Sequence, residues 1–226
     1  MLIGILQTGQ SPETLRETNG DYPDMFQRIL ANRGLTFRTY DVAGMDFPKD
    51  IHDCDGWLIT GSRFGAYEDH PFIPPLEEFI RRAIGAKVPV VGICFGHQII
   101  AQAMGGKVEK FPGGWAIGAQ DYTFDGQRVT LNAWHQDQVT QRPEGAEAIA
   151  CNDFCENAAL IYGDTAFTVQ AHPEFDDTFI KGMLDQRAPG VVPDALIERA
   201  VQRVADPKSS DLLADRIARF FLKPRG

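Results

Sequence analysis

Residues 88–106, VPVVGICFGHQIIAQAMGG, constrain the fold more than any other stretch of the chain. An apolar, β-branched run (Val88, Val90, Val91, Ile93) leads straight into Cys94. A helical pattern follows at once, with Ile99, Ile100, Ala103 and Met104 on one face and Gly105-Gly106 as its stop. A cysteine is thereby placed on a sharp strand-to-helix turn. Gly92 and Gly96 flank it, giving the G-x-C-x-G spacing of a nucleophile elbow. Small residues there let the backbone close up while the thiol projects outward. The helix N-terminus adds free N–H groups and partial positive charge beside the sulfur. Taken alone, a buried cysteine reads as a small apolar residue; the paired glycines and the abrupt switch of pattern argue for a nucleophile.

The rest of the chain alternates around this unit. Residues 2–7 read as a first strand, 10–22 as a polar loop and 23–32 as an amphipathic helix stopping at Gly34. Residues 35–41 and 57–60 read as further strands, and 73–84 as a helix with Pro74-Pro75 in its first turn. This succession predicts an α/β fold with a parallel sheet and helices on its faces. Residues 107–148 change texture, with short alternating segments broken by Gly113-Gly114 and by the hairpin signal Asp125-Gly126. They predict a small antiparallel edge. Two strands follow at 158–162 and 166–171, and from Asp176 the pattern is helical, interrupted at 189–193 and at Asp206-Pro207. The expected division is a main domain over residues 1–182 and a C-terminal helical extension, 183–226, packed on it.

Composition narrows the function classes. A length of 226 residues suits one α/β domain with an extension. A formal net charge of −9 argues against a nucleic-acid binder or a membrane-surface protein. No apolar stretch is long enough to span a bilayer, and the N-terminus lacks the basic region of a signal peptide. Cys54, Cys94, Cys151 and Cys155 are too few and too unevenly spaced for a disulfide framework, so a reducing cytoplasm is the expected location. Cys151 and Cys155 lack two further ligands nearby, and no metal site is expected.

Two more groups point to the same chemistry. His172-Pro173-Glu174 ends a predicted strand, and in an extended segment residues i and i+2 face the same side. Glu174 then fixes the tautomer of His172 and stabilises its imidazolium, with Pro173 holding the local geometry. A histidine ending a strand is often structural; paired with a carboxylate it reads as a general base. Gly61-Ser62-Arg63 follows the third strand, and ligands of open α/β sheets bind outside the carboxyl ends of strands. If these strands run parallel, N–H groups of this loop and of Phe95 form an oxyanion hole; a plain turn is the competing reading. His97 reads as a structural helix residue, and His52 and His70 as solvated.

The motifs resemble those of the class I glutamine amidotransferases. Gly92-Ile93-Cys94-Phe95-Gly96-His97-Gln98 matches their G-x-C-x-G-x-Q signature, and His172-Pro173-Glu174 matches their H-P-E. Trp134-His135-Gln136-Asp137-Gln138-Val139 is similar to the S-H-x-D-x-V stretch of the amidotransferase domain of GMP synthase. The resemblance spans roughly residues 1–182. It implies a flavodoxin-like, mostly parallel sheet and hydrolysis of a γ-glutamyl amide through a covalent thioester, with neither metal nor organic cofactor. Cys94 corresponds to the nucleophile, His172 to the general acid/base and Glu174 to its orienter. Ser62 and Phe95 correspond to oxyanion donors, and Gly61, Gln98, Trp134, His135 and Asp137 to substrate-binding positions. Two departures stand out: the usual G-G-P loop is Gly61-Ser62-Arg63, and the small serine of S-H-x-D is Trp134.

Three functions remain open at this level. One is a free-standing hydrolase of small γ-glutamyl compounds, resembling plant γ-glutamyl peptidases, which share the wording G-I-C-F-G-H-Q-I-I. The second is a glutaminase delivering ammonia to a separate synthase partner, since about fifty residues follow the H-P-E motif and carry no phosphate-binding glycine loop. The third, a non-catalytic binding module, is disfavoured by the presence of Cys94, His172 and Glu174 together. Trp134 and the helical tail favour the first.

Overall fold

Apolar strands flanked by turns pair here into one nine-stranded sheet, described for residues 1–225 in a computed structural model. Its parallel half contains β1 (Leu2–Gln7), β2 (Thr36–Asp41), β3 (Gly56–Ile59), β4 (Val90–Ile93) and β11 (Ala166–Val169), in the order β2-β1-β3-β4-β11. Every pairing within that half is parallel. β3 and β4 are buried at all positions, as expected for central strands covered on both faces. The antiparallel half continues the same sheet through β10 (Ala159–Tyr162), β9 (Glu147–Cys151), β6 (Ala116–Phe124) and β7 (Gln127–His135). The Asp125-Gly126 hairpin is the turn between β6 and β7. A separate antiparallel pair joins β5 (Lys107–Lys110) to β8 (Asp137–Gln141).

Period-two alternation sends side chains to two cores. One face collects Leu6, Trp57, Ile59 and Val90 against α3 (Ile73–Gly85) and α4 (Phe95–Ala103). The other collects Ile3, Ile5, Leu58, Val91 and Ile93 against α2 (Tyr22–Ile29) and α7 (Ser210–Leu222). Leu213, Ala214, Ile217, Ala218 and Phe221 form the buried stripe of α7, at the spacing of a 3.6-residue helix. Each large side chain of such a stripe contributes about 1.5–3 kcal/mol by burial. α5 (Asp177–Gln186) starts at Asp176, whose carboxylate accepts the Phe179 N–H at 2.8 Å, and α6 (Asp194–Gln202) follows the 189–193 interruption. No helix among the described residues is long and apolar enough to cross a membrane.

One local expectation is corrected. Residues 10–22 are not all loop: α1 (Glu13–Asn19) makes two turns of helix that bury Leu15 and Asn19. Seven residues are too few to display a helical period, and packing rather than propensity holds them.

Candidate active site

Cys94 links β4 directly to α4, with φ 54° and ψ −101°. A side-chain-bearing residue in that region carries of order 1–3 kcal/mol of strain, so the surroundings must impose it. They do so by close backbone contact. A Cβ on Gly92 would lie 2.4 Å from the Gly96 carbonyl oxygen, and one on Gly96 would lie 2.3 Å from that of Ile59. The Cys94 N–H donates to Val169 O at 2.9 Å, and the Gly96 N–H to Thr60 O at 3.2 Å. The elbow is thus tied to both neighbouring parallel strands, whose carboxyl ends meet at this rim.

His172 arrives three residues beyond Val169, through Gln170 and Ala171. It does not continue an extended strand, and this corrects the expected geometry. The Phe175 N–H reaches back to His172 O at 3.4 Å, closing a turn in which Pro173 supplies the second position. The turn still brings the pair together: His172 Nδ1–H donates to Glu174 Oε1 at 2.7 Å. It also lays the Phe175 ring on the imidazole, with centroids 3.9 Å apart and planes 5° from parallel. Asn132 of β7 clamps the turn by two bonds, accepting the His172 N–H on its own carbonyl (2.8 Å) and donating its side-chain amide to Phe175 O (2.9 Å). Burial alone would push the His172 imidazole toward neutrality. The Glu174 carboxylate and the Cys94 sulfur outweigh burial and hold its pKa above the ordinary value. Tyr22 lies close to both; burial first, then Cys94 and Glu174, keep its hydroxyl protonated well above the usual range.

The loop after β3 closes the other side. Gly61 is pressed on His172, since a Cβ there would stand 2.9 Å from Cε1. The Ser62 hydroxyl donates to Thr8 O at 2.7 Å and accepts the Phe64 N–H at 3.2 Å, which fixes the loop. The backbone N–H groups of Ser62 and Phe95 find no acceptor among the described residues. The Phe95 side chain turns into the core against Phe72. His70 is not simply solvated as expected: it is half-buried, its ring lies 4.2 Å from that of Phe64, and Nε2 pairs with Glu68 at 2.8 Å.

A cavity of about 560 Å³ opens in front of Cys94. Ser62, Gln98, Trp134, His135 and Asp137 line it, as do Arg63, Tyr67, Lys110, Gln186 and Arg187. Gln98 donates through Nε2 to Asp137 O (2.9 Å) and Gln170 Oε1 (3.1 Å), so it braces the β8 end of the pocket. Asp137 accepts from the Tyr67 hydroxyl at 3.2 Å, and burial holds its carboxyl above the usual range. His135 contacts Asp137 O at 3.2 Å; burial, then the nearby His172, drive it down to about 3, so it is neutral. His97 has the structural bond expected of it, to Thr168 Oγ1 at 2.8 Å. Phe175, Asn132, Tyr22 and Tyr67 escaped the sequence reading. Only Phe175, directly after H-P-E, carried a local signal.

Chemically, the arrangement offers a strained thiol at a helix start, a buried imidazole–carboxylate pair beside it, and two free N–H donors. The model of the glutamine amidotransferase class-I family matches residues 20–185. A glutamine amidotransferase-like protein of Schizosaccharomyces pombe is 30% identical over 98% of this chain and 98% of its own length. Gamma-glutamyl peptidase 4 of Arabidopsis thaliana is 30% identical over 77% of this chain and 76% of its own. A solved glutamine amidotransferase of Methylobacillus flagellatus shares the fold, with a TM-score of 0.77, 24% identity, and coverage of 100% of this chain and 96% of that one.

Proposed function

We propose, from the premise that this chain belongs to the class I glutamine amidotransferase family, that it hydrolyses a γ-glutamyl amide through a thioester on Cys94. The substrate is glutamine or a small γ-glutamyl compound. The observation that carries this reading is the meeting of the strained Cys94 (φ 54°) with His172, whose Nδ1 is held by Glu174 at 2.7 Å.

The reaction runs in two halves. The substrate's α-amino group sits at Asp137, and the Cys94 sulfur, as thiolate, attacks the γ-carbonyl. The oxyanion that forms takes hydrogen bonds from the Ser62 and Phe95 N–H groups, each such donor being worth about 10²–10³-fold in rate. The imidazolium of His172 gives its proton to the leaving nitrogen as the C–N bond breaks, and the thioester remains. Neutral His172 then takes a proton from water, the resulting hydroxide adds to the thioester carbonyl, and collapse releases glutamate and the thiolate. Acid–base participation of this kind contributes about 10²–10⁴-fold. Glu174 keeps the imidazole in the tautomer and orientation that both halves need.

The test is glutamate release by the isolated protein from glutamine and, side by side, from a γ-glutamyl dipeptide. Release that vanishes in Cys94→Ala supports the reading. Full activity in that variant overturns it. Activity without any added protein also separates a self-sufficient hydrolase from a glutaminase that works only beside a synthase.

A further inference from the structure

We propose that a second cavity, beyond Trp134, is the subsite for the leaving group, where Arg63 and Arg187 receive a carboxylate on the departing amine. The inference rests on the hydrolysis proposed above and narrows its substrate class. Preferred substrates are γ-glutamyl amino acids or peptides with a free terminal carboxylate.

The second cavity measures about 500 Å³. It shares Ser62, Arg63, Phe64, Trp134 and Arg187 with the first, so those residues form the boundary between the two. Cys94 lines only the first and Tyr22 only the second. The Tyr22 ring stacks on Phe175 at 6.1 Å, and Phe175 stacks on His172 at 3.9 Å. The second cavity therefore lies on the His172 side of the thiol. His172 protonates the leaving nitrogen, so any substituent on that nitrogen extends toward this space. Glutamine has no such substituent and leaves the space empty.

The charge at the boundary selects what enters. The chain carries a net charge of −9, yet Arg63 and Arg187 have no anionic partner among the described residues. Arg63 rests over the Phe64 ring at 5.0 Å, which orients a guanidinium without neutralising it. Arg187 projects its charge as far as Tyr22. The third arginine of the cavity, Arg16, is already engaged by Ser11 O at 2.6 Å and Asp21 at 3.8 Å. Glu13 and Asp41 also line the cavity, and the Asp41 carboxylate accepts the Gly44 N–H at 3.1 Å. A single carboxylate docked at the boundary fits this balance; a polyanion does not. A planar guanidinium matches a carboxylate in a forked geometry that a plain ammonium does not reproduce. Arg63 also replaces the proline of the usual G-G-P loop, placing a cation where the resemblance predicts none.

The test compares kcat/KM for γ-glutamyl-alanine, γ-glutamyl-alaninamide and glutamine. The free acid is expected to exceed its amide by about tenfold, the worth of one charge-assisted contact, and the preference should shrink as salt rises. Arg63→Gln with Arg187→Gln should bring the acid-to-amide ratio near one. The paired Lys variants should keep part of the preference, which separates charge from lost packing. A wild-type ratio near one in an enzyme that cleaves all three overturns the subsite alone, as does a preference that survives the double Gln variant. Release of glutamate from none of the three overturns the hydrolysis and the subsite together.

Discussion

The imidazole of His172 stacks on the ring of Phe175, with centroids 3.9 Å apart and planes 5° from parallel. Only Pro173 and Glu174 separate them in sequence, in the turn that brings them together. In the proposed mechanism Phe175 is a positioning residue, setting the plane in which Nε2 would meet the thiol and the leaving nitrogen. An aromatic contact of this kind is worth about 0.5–1.5 kcal/mol, up to roughly tenfold in rate. Phe175→Leu is expected to lower kcat by about that factor with KM unchanged, and Phe175→Tyr to restore most of it. Steady-state kinetics on the two variants check this.

In the proposed mechanism Glu174 sets the pH range. Burial pushes His172 down, and the Glu174 carboxylate and Cys94 sulfur more than reverse it, so the protonated form persists above the ordinary histidine range. A raised pKa means that the imidazolium is complete at low pH and is lost as pH rises through the raised value. Turnover should therefore fall on the alkaline side. Glu174→Gln removes the anion, so the alkaline limb of kcat/KM should move about one pH unit or more toward neutrality. The plateau should drop by about a hundredfold.

The elbow glycines should tolerate nothing larger. Gly96→Ala drives a Cβ to 2.3 Å from Ile59 O, a backbone atom that cannot step aside. Destabilisation by roughly 2–4 kcal/mol is expected. A Cβ on Gly85, at the end of α3, would meet nothing within 4 Å beyond its chain neighbours and its own helix backbone. Gly85→Ala should be neutral or stabilising by about 0.4–1 kcal/mol. Urea unfolding of the two variants provides the comparison.

Two buried histidines make the fold acid-sensitive. Burial lowers His97 and His135 from 6.5 to about 3, helped at His97 by His135 and at His135 by His172. Between those values the unfolded chain binds protons that the native state refuses. Stability should therefore fall as pH falls from about 6.5 toward 3, by about 1.4 kcal/mol per pH unit for each histidine. His97→Gln should remove one such increment from the slope of unfolding free energy against pH.

The parts of the site that the sequence displays are the local ones. Cys94 is announced by a β-branched run, paired glycines and a helical pattern within nineteen residues. Glu174 lies two positions from His172, so the pairing was legible although the backbone makes a turn instead of an extended end. Asn132 and Tyr22 were not legible. Each reaches the H-P-E turn through tertiary contact across some forty or more residues, and neither periodicity nor spacing encodes that. The pocket wall formed by Gln186 and Arg187 was hidden for the same reason, at the end of a helix whose own pattern says only that one face is buried. In the fold, the parallel strands β1, β3, β4 and β11 were legible from their apolar runs, whereas α1 was too short to declare itself.

Interception of the acyl-enzyme with hydroxylamine tests the thioester most directly. A thioester on Cys94 partitions between water and hydroxylamine, so γ-glutamyl hydroxamate should appear at the expense of glutamate while release of the leaving amine stays constant. Neither product should form with Cys94→Ala. Glutamate as the sole product at every hydroxylamine concentration, or hydroxamate formed equally well without the Cys94 thiol, would contradict covalent catalysis at this residue.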